Sequence, residues 1–415
     1  LSIADGPSIL DYLQRVARDT GVDALIRYRK RVVDMQWSSA RCEWQVTVID
    51  SSDGTEEVLR TKFVHLCTGY YDYQQAHRPT FEGEHDFRGR IVHPQFWPTD
   101  LDYRGMRIVI VGSGATAVTL GPAMSGTAAH VTMLQRSPSF VANQPSIDSW
   151  ARALERFLPA AIVYPLVRWK RILTSAFFYK IARRRPRVFR RRLLELAAQE
   201  LPPDFDVHKH FSPTYEPWDQ RLCAVPDGDL FKEITAGRMS VVTDQIERFT
   251  SEGIRLCSGE TLPADLIVLA TGLKVQPLGA VKISVDGRTI DYAETMVYRG
   301  AMLSGVPNMV HTFGYTNSSW TLRADLIAAY IGRIVAYMRR HGFDSVTAVR
   351  DPAVGEMPFI DFNSGYVLRA LPLLPKQGDR FPWRIHQNYL RDLFITLFSK
   401  LRDPALRFGR REAGT

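Results

Sequence analysis

A glycine-rich segment at residues 112–117 carries the strongest chemical signal in this chain of 415 residues. It follows the apolar run 108–111 and precedes residues that suit a helix, so it has the strand–turn–helix context of a dinucleotide loop. In such a loop the first glycine makes a tight turn, the second lets the backbone approach a pyrophosphate, and a small third residue lets helix and strand pack closely. The pattern therefore predicts nucleotide binding, the alternative being a tight turn that needs glycine for its backbone geometry alone. The predicted loop consists of Gly112, Ser113, Gly114, Ala115, Thr116 and Ala117.

The strand predicted after this loop indicates which nucleotide it binds. NAD-specific folds usually carry an acidic residue about 20 positions further on, where it accepts hydrogen bonds from the ribose 2′-hydroxyl. Here the run 130–135 is followed by Arg136 and Ser137, and no carboxylate is nearby. A guanidinium suits a 2′-phosphate, and a serine hydroxyl adds a donor. The two residues therefore predict an NADPH site; the alternative is that Arg136 is only an exposed charge at a strand end.

Two further apolar runs, at residues 62–69 and 265–272, both end in Thr-Gly. In doubly wound sheets ligands lie at the carboxyl ends of the strands, where glycine permits a close approach. Two such strands predict two nucleotide-binding domains interleaved along the chain, whereas the alternative is a pair of ordinary buried strands followed by turns. The cofactor-binding residues predicted at these ends are Thr68, Gly69, Thr271 and Gly272.

The elements that must position these residues alternate between strands and helices, which favours a mainly parallel α/β architecture. Residues 146–200 interrupt this rhythm with apolar residues at helical spacing and predict a helical insert. A long helix is predicted to begin near residue 320. The sequence thus predicts an α/β fold with two interleaved, Rossmann-like dinucleotide-binding domains and a helical insert.

Composition limits the classes of function. Hydrophobic residues make up 45% of the chain and charged residues 23%, which is ordinary for a globular protein. The four cysteines form no C-x-x-C pair, so the sequence shows neither a zinc site nor a redox dithiol of the usual spacing and suits a reducing cytoplasm. No apolar run approaches the roughly 18 residues of a membrane span. We therefore expect a cytoplasmic protein without a metal site.

The excess of positive charge comes from one segment of the predicted insert. The formal net charge is +9, and residues 168–192 contain eleven Lys or Arg and no carboxylate. We expect no nucleic-acid partner, because the rest of the chain is close to neutral. Two interpretations of residues 150–200 stay open. One is a helical excursion whose apolar face packs on the protein, and the other is a peripheral membrane element that lies on anionic lipid.

The connector before the glycine loop carries a spaced pattern of its own. Phe87, Gly89, His93 and Trp97 stand in the order F-x-G-x-x-x-H-x-x-x-W, and a proline follows. This pattern is similar to the fingerprint of the class B flavoprotein monooxygenases, and its Trp-Pro ending resembles the Baeyer–Villiger branch. Further stretches, among them PWDQRLCAVPDGDLF and GYTNSSWTL, resemble the mycobacterial ethionamide-monooxygenase type of that branch. The resemblance covers nearly the whole chain.

The resemblance implies FAD and NADPH as cofactors and O₂ as co-substrate. NADPH would reduce FAD, and reduced flavin would react with O₂ to give a C4a-peroxyflavin that oxygenates a small-molecule substrate. The implied substrates are ketones, thioethers and thioamides. The implied domains are an FAD-binding domain at residues 1–98 and 273–415, and an NADPH-binding domain at 99–272 with the insert at about 146–200.

The resemblance also implies roles for individual residues. Arg221 in WDQRLC matches the family's active-site arginine, a permanently charged donor fork that suits an anionic oxygen species, and His93 is the second catalytic candidate. The alternative for Arg221 is a structural role, paired with Asp219 or another carboxylate. The remaining implied cofactor contacts are Trp97 in the connector, Gln220 where many relatives have lysine, and Trp320 with Thr321 at a helix start facing the flavin ring.

One feature departs from the family pattern. The first glycine loop for FAD and an aspartate-bearing segment would precede residue 1, so we expect the chain to be N-terminally truncated. An alternative function is therefore a catalytically impaired NADP-binding fragment. A second alternative, an NADPH–disulfide oxidoreductase on a related fold, is disfavoured because the sequence has no C-x-x-C pair.

Overall fold

The computed structural model describes residues 3–360 and 362–411. They form two compact units, each built from two stretches of chain. Of these residues, unit 1 comprises 3–9 and Asp72–Lys274, and unit 2 comprises Leu10–Tyr71, 275–360 and 362–411. The chain therefore crosses between the two units three times, which confirms the predicted interleaved α/β architecture.

The helices and strands are numbered in chain order. The helices of the described residues are α1 Gly6–Asp19, α2 Ala115–Ser125, α3 Ser149–Leu154, α4 Ala160–Arg184, α5 Pro186–Ala198, α6 Val207–Phe211, α7 Asp229–Thr235, α8 Trp320–His341, α9 Gly365–Ala370 and α10 Tyr389–Phe398. The strands are β1 Lys30–Ser38, β2 Glu43–Asp50, β3 Glu56–Thr61, β4 Val64–Leu66, β5 Tyr71–Ala76, β6 Arg90–Val92, β7 Arg107–Val111, β8 His130–Gln135, β9 Val141–Gln144, β10 Cys223–Pro226, β11 Met239–Thr243, β12 Ile246–Thr250, β13 Gly253–Leu256, β14 Thr261–Pro263, β15 Leu266–Leu269, β16 Leu273–Val275, β17 Lys282–Val285, β18 Arg288–Thr289, β19 Val297–Tyr298, β20 Met302–Leu303, β21 Met309–His311, β22 Ser345–Ala348, β23 Glu356–Pro358, β24 Lys376–Gly378 and β25 Leu406–Gly409.

Unit 1 is centred on a parallel sheet of five strands in the order β11–β8–β7–β15–β6. All four residues of β15 are buried, and β7 is buried after its first residue. A parallel strand covered on both faces needs an aliphatic run of this kind, because neither face meets water. The turn from β7 to α2 consequently lies at the carboxyl edge of the sheet, where the glycine-rich segment was predicted.

The connector before this turn folds onto unit 1. β6 is the edge strand next to β15, and Phe87 is buried in the same hydrophobic cluster as Val109 and Phe249. The compact unit therefore includes residues 72–98, which the predicted boundary at residue 98 had placed with the other domain. The assignment of FAD and NADPH to the two units stays a prediction.

The insert at residues 146–200 contains helices α3, α4 and α5. Asp148 joins the first two, because it accepts hydrogen bonds from the backbone N–H groups of Trp150 and Ala151 and forms ion pairs with Lys170 and Arg171, each at 3.0 Å. A single shielded carboxylate thus caps α3 and fixes α4 against it.

Unit 2 has a mixed sheet in the order β18–β17–β1–β2–β3, in which only β1 and β17 run parallel. A separate parallel pair joins β4 and β21. The predicted strand at residues 62–69 is therefore shorter in the structure, and its Thr-Gly end follows the strand at the carboxyl edge of this pair. The long helix predicted near residue 320 is α8, and it buries one face from Leu322 to Met338.

Candidate functional site

The turn between β7 and α2 needs glycine at its first position. Gly112 has a φ of 142°, and its N–H donates to the carbonyl oxygen of Leu134 at 2.8 Å. A Cβ at this position would overlap the carbonyl oxygen of Ala270, which follows the neighbouring strand. The third small residue, Ala117, is fully buried in the core that the sheet and α2 share. Both residues are therefore explained by the fold of unit 1.

Gly114, by contrast, is not explained by contacts within the protein. It is exposed, its φ of −79° is open to any residue, and a Cβ built there would meet nothing within 4 Å. It is also the N-cap of α2, and no side chain caps this helix start. The backbone N–H groups of the exposed first-turn residues Ala115 and Thr116 therefore lack helical partners and favour an anion. The open cradle fits a pyrophosphate.

Serine hydrogen bonds hold the glycine loop against the end of β8. Ser113 Oγ donates to the carbonyl oxygen of Ser137 at 2.8 Å and accepts from Ser139 Oγ at 3.1 Å. Arg136 is consequently held beside the loop. It is exposed, and its guanidinium forms no ion pair with the residues that the structure describes. The predicted loop and the predicted 2′-phosphate residues are thus brought together at one edge.

A second group of predicted residues meets where the parallel neighbours β6 and β15 end. Thr271 donates its hydroxyl to the carbonyl oxygen of His77 at 2.7 Å. His93 is buried, its Nδ1 accepts from the N–H of Gln95 at 3.2 Å, and its Nε2 has no hydrogen-bond partner in the described structure. Burial lowers the pKa of His93, and the nearby backbone of Gly272 opposes this shift in part. The imidazole is therefore neutral near pH 7.

Arg221 lies exposed just before β10, and Asp219 is engaged elsewhere. The Asp219 carboxylate binds the guanidinium of Arg183, in the insert, with Nη1 and Oδ1 2.7 Å apart, and it accepts the N–H of Glu216 at 3.2 Å. The alternative in which Arg221 pairs with Asp219 is therefore wrong. Gln220, next to it, is half-buried.

Trp97 makes a packing contact within unit 1. Its ring meets Tyr103 edge to face with the centroids 6.3 Å apart, and it lies against the core of the parallel sheet. This contact fixes the end of the connector. A contact between Trp97 and a cofactor stays a prediction.

In unit 2 the Thr-Gly end of β4 lies close to a second turn. Gly69 adopts a left-handed φ of 69°, and a Cβ on Gly279 would lie 3.1 Å from the side chain of Thr68. Trp320, the first residue of α8, stacks on Tyr70 with centroids 5.2 Å apart and an angle of 16° between the planes. The edge predicted for FAD is thus lined by aromatic rings.

The start of α8 also carries polar groups without helical partners. The exposed Thr321 shares a hydrogen bond of 2.8 Å with the hydroxyl of Ser319, so neither side chain caps a backbone N–H here. Asn317 donates its Nδ2 to the carbonyl oxygen of Gln387 at 2.9 Å, but its buried Oδ1 has no partner among the described residues. Buried acceptors are rarely left unpaired, so this atom fits a ligand that donates an N–H.

Several contributors to these sites were absent from the sequence prediction: Ser139, Gln95 and His77 in unit 1, and Tyr70, Asn317 and Gly279 in unit 2. The serine of the S-P-S stretch could have been found, since it follows the strand predicted next to the glycine loop. Gln95 and His77 act through backbone groups, an N–H to His93 and a carbonyl oxygen to Thr271, which no side-chain pattern reveals. Among the described residues no three metal-ligating side chains come together.

Comparison with known proteins identifies the family of this chain. A profile described as FMO-like, flavin-binding monooxygenase-like, matches residues 4–276. The FAD-containing monooxygenase EthA of Mycobacterium tuberculosis is 50% identical over 414 residues, 99% of this chain and 84% of that protein. The probable FAD-binding monooxygenase AlmA of Acinetobacter baylyi is 42% identical over 412 residues, 99% of this chain and 82% of that protein. The chain therefore belongs to the flavin-binding monooxygenase-like family and is an enzyme of the monooxygenase class, which confirms the resemblance.

Solved structures show the same fold at low identity. An oxidized steroid monooxygenase bound to NADP superposes with a TM-score of 0.73 at 18% identity, over 98% of this chain and 85% of that one. OTEMO in complex with FAD and NADP gives a TM-score of 0.66 at 21% identity, over 84% of this chain and 73% of that one. The fold of two dinucleotide-binding domains is thereby confirmed.

Proposed function

We propose that this chain is an FAD- and NADPH-dependent monooxygenase that inserts one oxygen atom from O₂ into a ketone or into the soft sulfur of a thioether or thioamide. The observation that carries the proposal is the open glycine cradle at Gly114, held beside the unpaired guanidinium of Arg136. The flavin is supported by relatives named as FAD-containing monooxygenases and by neighbours solved with FAD and NADP.

In this proposal unit 1 holds NADPH. The N–H groups at the start of α2 bind the pyrophosphate, and Gly114 keeps the approach open. Arg136 and Ser137 bind the 2′-phosphate, because a guanidinium fork matches phosphate geometry. Thr271 and Gly272 line the neighbouring strand end.

Unit 2 fits a flavin through fewer groups. Thr68 and Gly69 lie at a strand end, Trp320 and Thr321 begin α8, and the unpaired Oδ1 of Asn317 accepts an N–H. When bound, NADPH supplies a hydride and the flavin supplies the activation of O₂. The task of the protein is to bind and orient these groups and to exclude water.

Arg221 and His93 are the proposed catalytic residues. Arg221 is permanently charged and is not neutralised by Asp219, so it can stabilise negative charge on an oxygen atom next to the substrate. His93 is neutral near pH 7, and its unpaired Nε2 can exchange a hydrogen bond with a ligand beside Gly272. Trp97 positions the connector that carries His93, and Gln220 adds an amide beside Arg221.

The NADPH assignment is tested by nucleotide binding without turnover. We expect the protein to bind adenosine 2′,5′-bisphosphate at least about tenfold more tightly than 5′-AMP in a titration calorimeter, since a charge-assisted hydrogen bond contributes about 1.5–3 kcal/mol. Arg136→Gln should abolish this preference. Arg88→Gln, at an exposed arginine elsewhere in unit 1, is the matched control and should keep it. Equal affinity of the unmodified protein for the two ligands contradicts the assignment.

The oxygenation is tested on the purified chain supplied with FAD. The flavin absorption spectrum reports loading, and mass spectrometry with ¹⁸O₂ reports oxygen incorporation into a panel of ketones, thioethers and thioamides. Arg221→Gln should lower product formation by about 10²-fold or more while the affinity for adenosine 2′,5′-bisphosphate is unchanged. The proposal is contradicted if the flavin-loaded protein oxidises NADPH but oxygenates no member of the panel.

A further inference from the structure

The longest helix of the insert leaves an apolar stripe exposed. α4 has 25 residues, of which only Val163, Ile172 and Ala182 are buried. Five large apolar residues at spacings i, i+4, i+7, i+11 and i+15 share one face of the helix over about 22 Å. Each is between 42% and 60% exposed, and together they form what we call the insert stripe: Ile162, Leu166, Trp169, Leu173 and Phe177.

Other apolar residues of the insert are exposed outside the stripe. Phe157, just before α4, is 84% exposed, and Tyr164 and Phe178 are exposed on the other side of the helix. The contiguous apolar surface of the stripe marks an interaction site, whereas single exposed apolar residues such as these need no explanation. The interpretation in which the apolar face of the insert packs on the protein therefore does not hold for this stripe.

Positive charge continues the same face of the helix. Lys180 and Arg184 follow Phe177 at spacings of three and seven residues, which places them on the stripe's face one and two turns further on. Neither forms an ion pair with the part of the chain that the structure describes. Other cations of the insert are neutralised, since Arg183 binds Asp219 and both Lys170 and Arg171 bind Asp148. The stripe thus ends in uncompensated basic groups.

This combination of charge and apolar surface fits one class of partner. Hydrocarbon would cover the aliphatic and aromatic side chains, and lipid phosphates would bind the cations at the end of the helix. A second copy seated on the same stripe would offer Lys180 and Arg184 no anion from its own α4, because this helix contains no acidic residue. Within the described residues, no helix combines the length and apolar character needed to cross a bilayer.

We propose that α4 is a docking helix for anionic lipid bilayers. The insert stripe lies at the boundary between headgroups and acyl chains, with Trp169 at the depth that suits an indole and with Lys180 and Arg184 on the phosphates. This function goes beyond the oxygenation of a substrate, which requires no bilayer.

Vesicle sedimentation tests the proposal directly. Vesicles of phosphatidylcholine alone are compared with vesicles that contain equal parts of phosphatidylcholine and phosphatidylglycerol, at about 50 mM and about 500 mM NaCl. We expect the protein to pellet with the anionic vesicles at low salt, and to stay mainly in the supernatant with neutral vesicles or at high salt. No pelleting with anionic vesicles at low salt overturns the proposal.

Two double variants separate the contributions of the stripe. Leu173→Ser with Phe177→Ser should weaken binding to anionic vesicles by about tenfold or more, and Lys180→Gln with Arg184→Gln by a similar factor. The matched control is Leu397→Ser with Phe394→Ser on α10, because these residues are exposed to a similar degree, 49% and 66%. The control should bind like the unmodified protein. If only the basic pair affects binding, the attraction is purely electrostatic and the proposal is wrong.

Fluorescence provides a test that does not depend on the serine variants folding. Brominated acyl chains quench an indole that reaches the bilayer, so they should quench the protein's emission, and Trp169→Phe should remove most of that quenching. An unchanged emission on binding contradicts the proposal. Sedimentation velocity without lipid gives a further opposing outcome: a dimer that Phe177→Ser dissociates would assign the stripe to a second copy instead.

Discussion

Each unit contains a pair of neighbouring parallel strands with the same residue types at its carboxyl edge: Thr-Gly after one strand and a histidine at the end of the other. In unit 1 β15 is followed by Thr-Gly at 271–272, and its neighbour β6 is followed by His93. In unit 2 β4 is followed by Thr-Gly at 68–69, and its neighbour β21 ends in His311. The surroundings differ, because the first edge adjoins the open glycine cradle and the second adjoins a cluster of aromatic rings.

The difference teaches what a Thr-Gly strand end specifies. In unit 2 Phe313 lies 5.0 Å from Trp320 and 4.8 Å from Phe359 between ring centroids, so this edge offers flat apolar surfaces and the unpaired Asn317 Oδ1. In unit 1 the neighbouring loop offers backbone N–H groups and a guanidinium. The strand end permits a close approach, and the neighbouring element decides whether phosphates or a ring is favoured there.

The largest effect is expected at the turn between β7 and α2, which forms the glycine cradle of unit 1. Gly112→Ala should lower the free energy of unfolding by about 3 kcal/mol or more, because the new Cβ would meet the Ala270 carbonyl oxygen and the positive φ adds strain. Gly279→Ala, at the edge in unit 2, should cost only about 1–2 kcal/mol, because its φ of 68° lies in the left-handed region, which an alanine adopts at about that cost, and its Cβ meets a side chain at 3.1 Å rather than a backbone oxygen. Urea unfolding measures both. A smaller loss for Gly112→Ala than for Gly279→Ala contradicts the comparison.

The histidines at the two strand edges, His311 in unit 2 and His93 in unit 1, should make the stability of the protein depend on pH to different extents. Burial, with Arg323 nearby, lowers the pKa of His311 to about 4, whereas an unfolded histidine titrates near 6.5. Between these values the unfolded state binds more protons, so stability falls as the pH drops from about 6.5 to about 4, by at most about 3 kcal/mol. His311→Gln should flatten this part of the stability profile. His93→Gln should flatten the profile less, because the backbone of Gly272 opposes the lowering of the pKa at that site. A larger flattening for His93→Gln than for His311→Gln contradicts this difference between the two edges.

Gly114→Ala should affect ligand binding and leave the fold unchanged. No atom beyond the adjoining residues lies within 4 Å of the added Cβ, so the free energy of unfolding should change by no more than about 1 kcal/mol, the preference of an N-cap for glycine over alanine. The affinity for adenosine 2′,5′-bisphosphate does not report on this change, because it lacks the pyrophosphate; NADP⁺ itself is the probe, and it should bind about 10–100-fold more weakly. A loss of stability like that of Gly112→Ala would mean that Gly114 serves packing.

The smallest difference concerns the two threonines. Thr271→Val should cost about 1 kcal/mol of stability, since the hydroxyl donates to His77 at 2.7 Å. Thr68→Val should cost less than about 0.5 kcal/mol, because its hydroxyl makes only a 3.4 Å contact with the carbonyl oxygen of the next residue. Equal losses at the two positions would mean that the two strand ends are equivalent.

Several features could be predicted from the sequence because they depend on neighbours along the chain. The G-x-G-x-x-A pattern, the arginine after the following strand and the helical spacing of the insert are all local signals. The glycine pattern and the helical spacing each specify a backbone geometry, as Gly112 with its positive φ illustrates. The family fingerprint is likewise a matter of spacing. These signals determined the α/β class, the interleaved order and the position of the glycine loop.

Only the tertiary structure decided which distant groups meet. The pairing of Asp219 with Arg183 rather than Arg221 joins residues 36 positions apart, and the hydrogen bond between Ser113 and Ser139 spans 26. Nor does helical spacing reveal whether an apolar face is covered. α4 and α8 both carry such faces, yet α8 buries its own and α4 leaves the insert stripe exposed. Burial and partner choice depend on how elements far apart in sequence pack, and no local pattern encodes that.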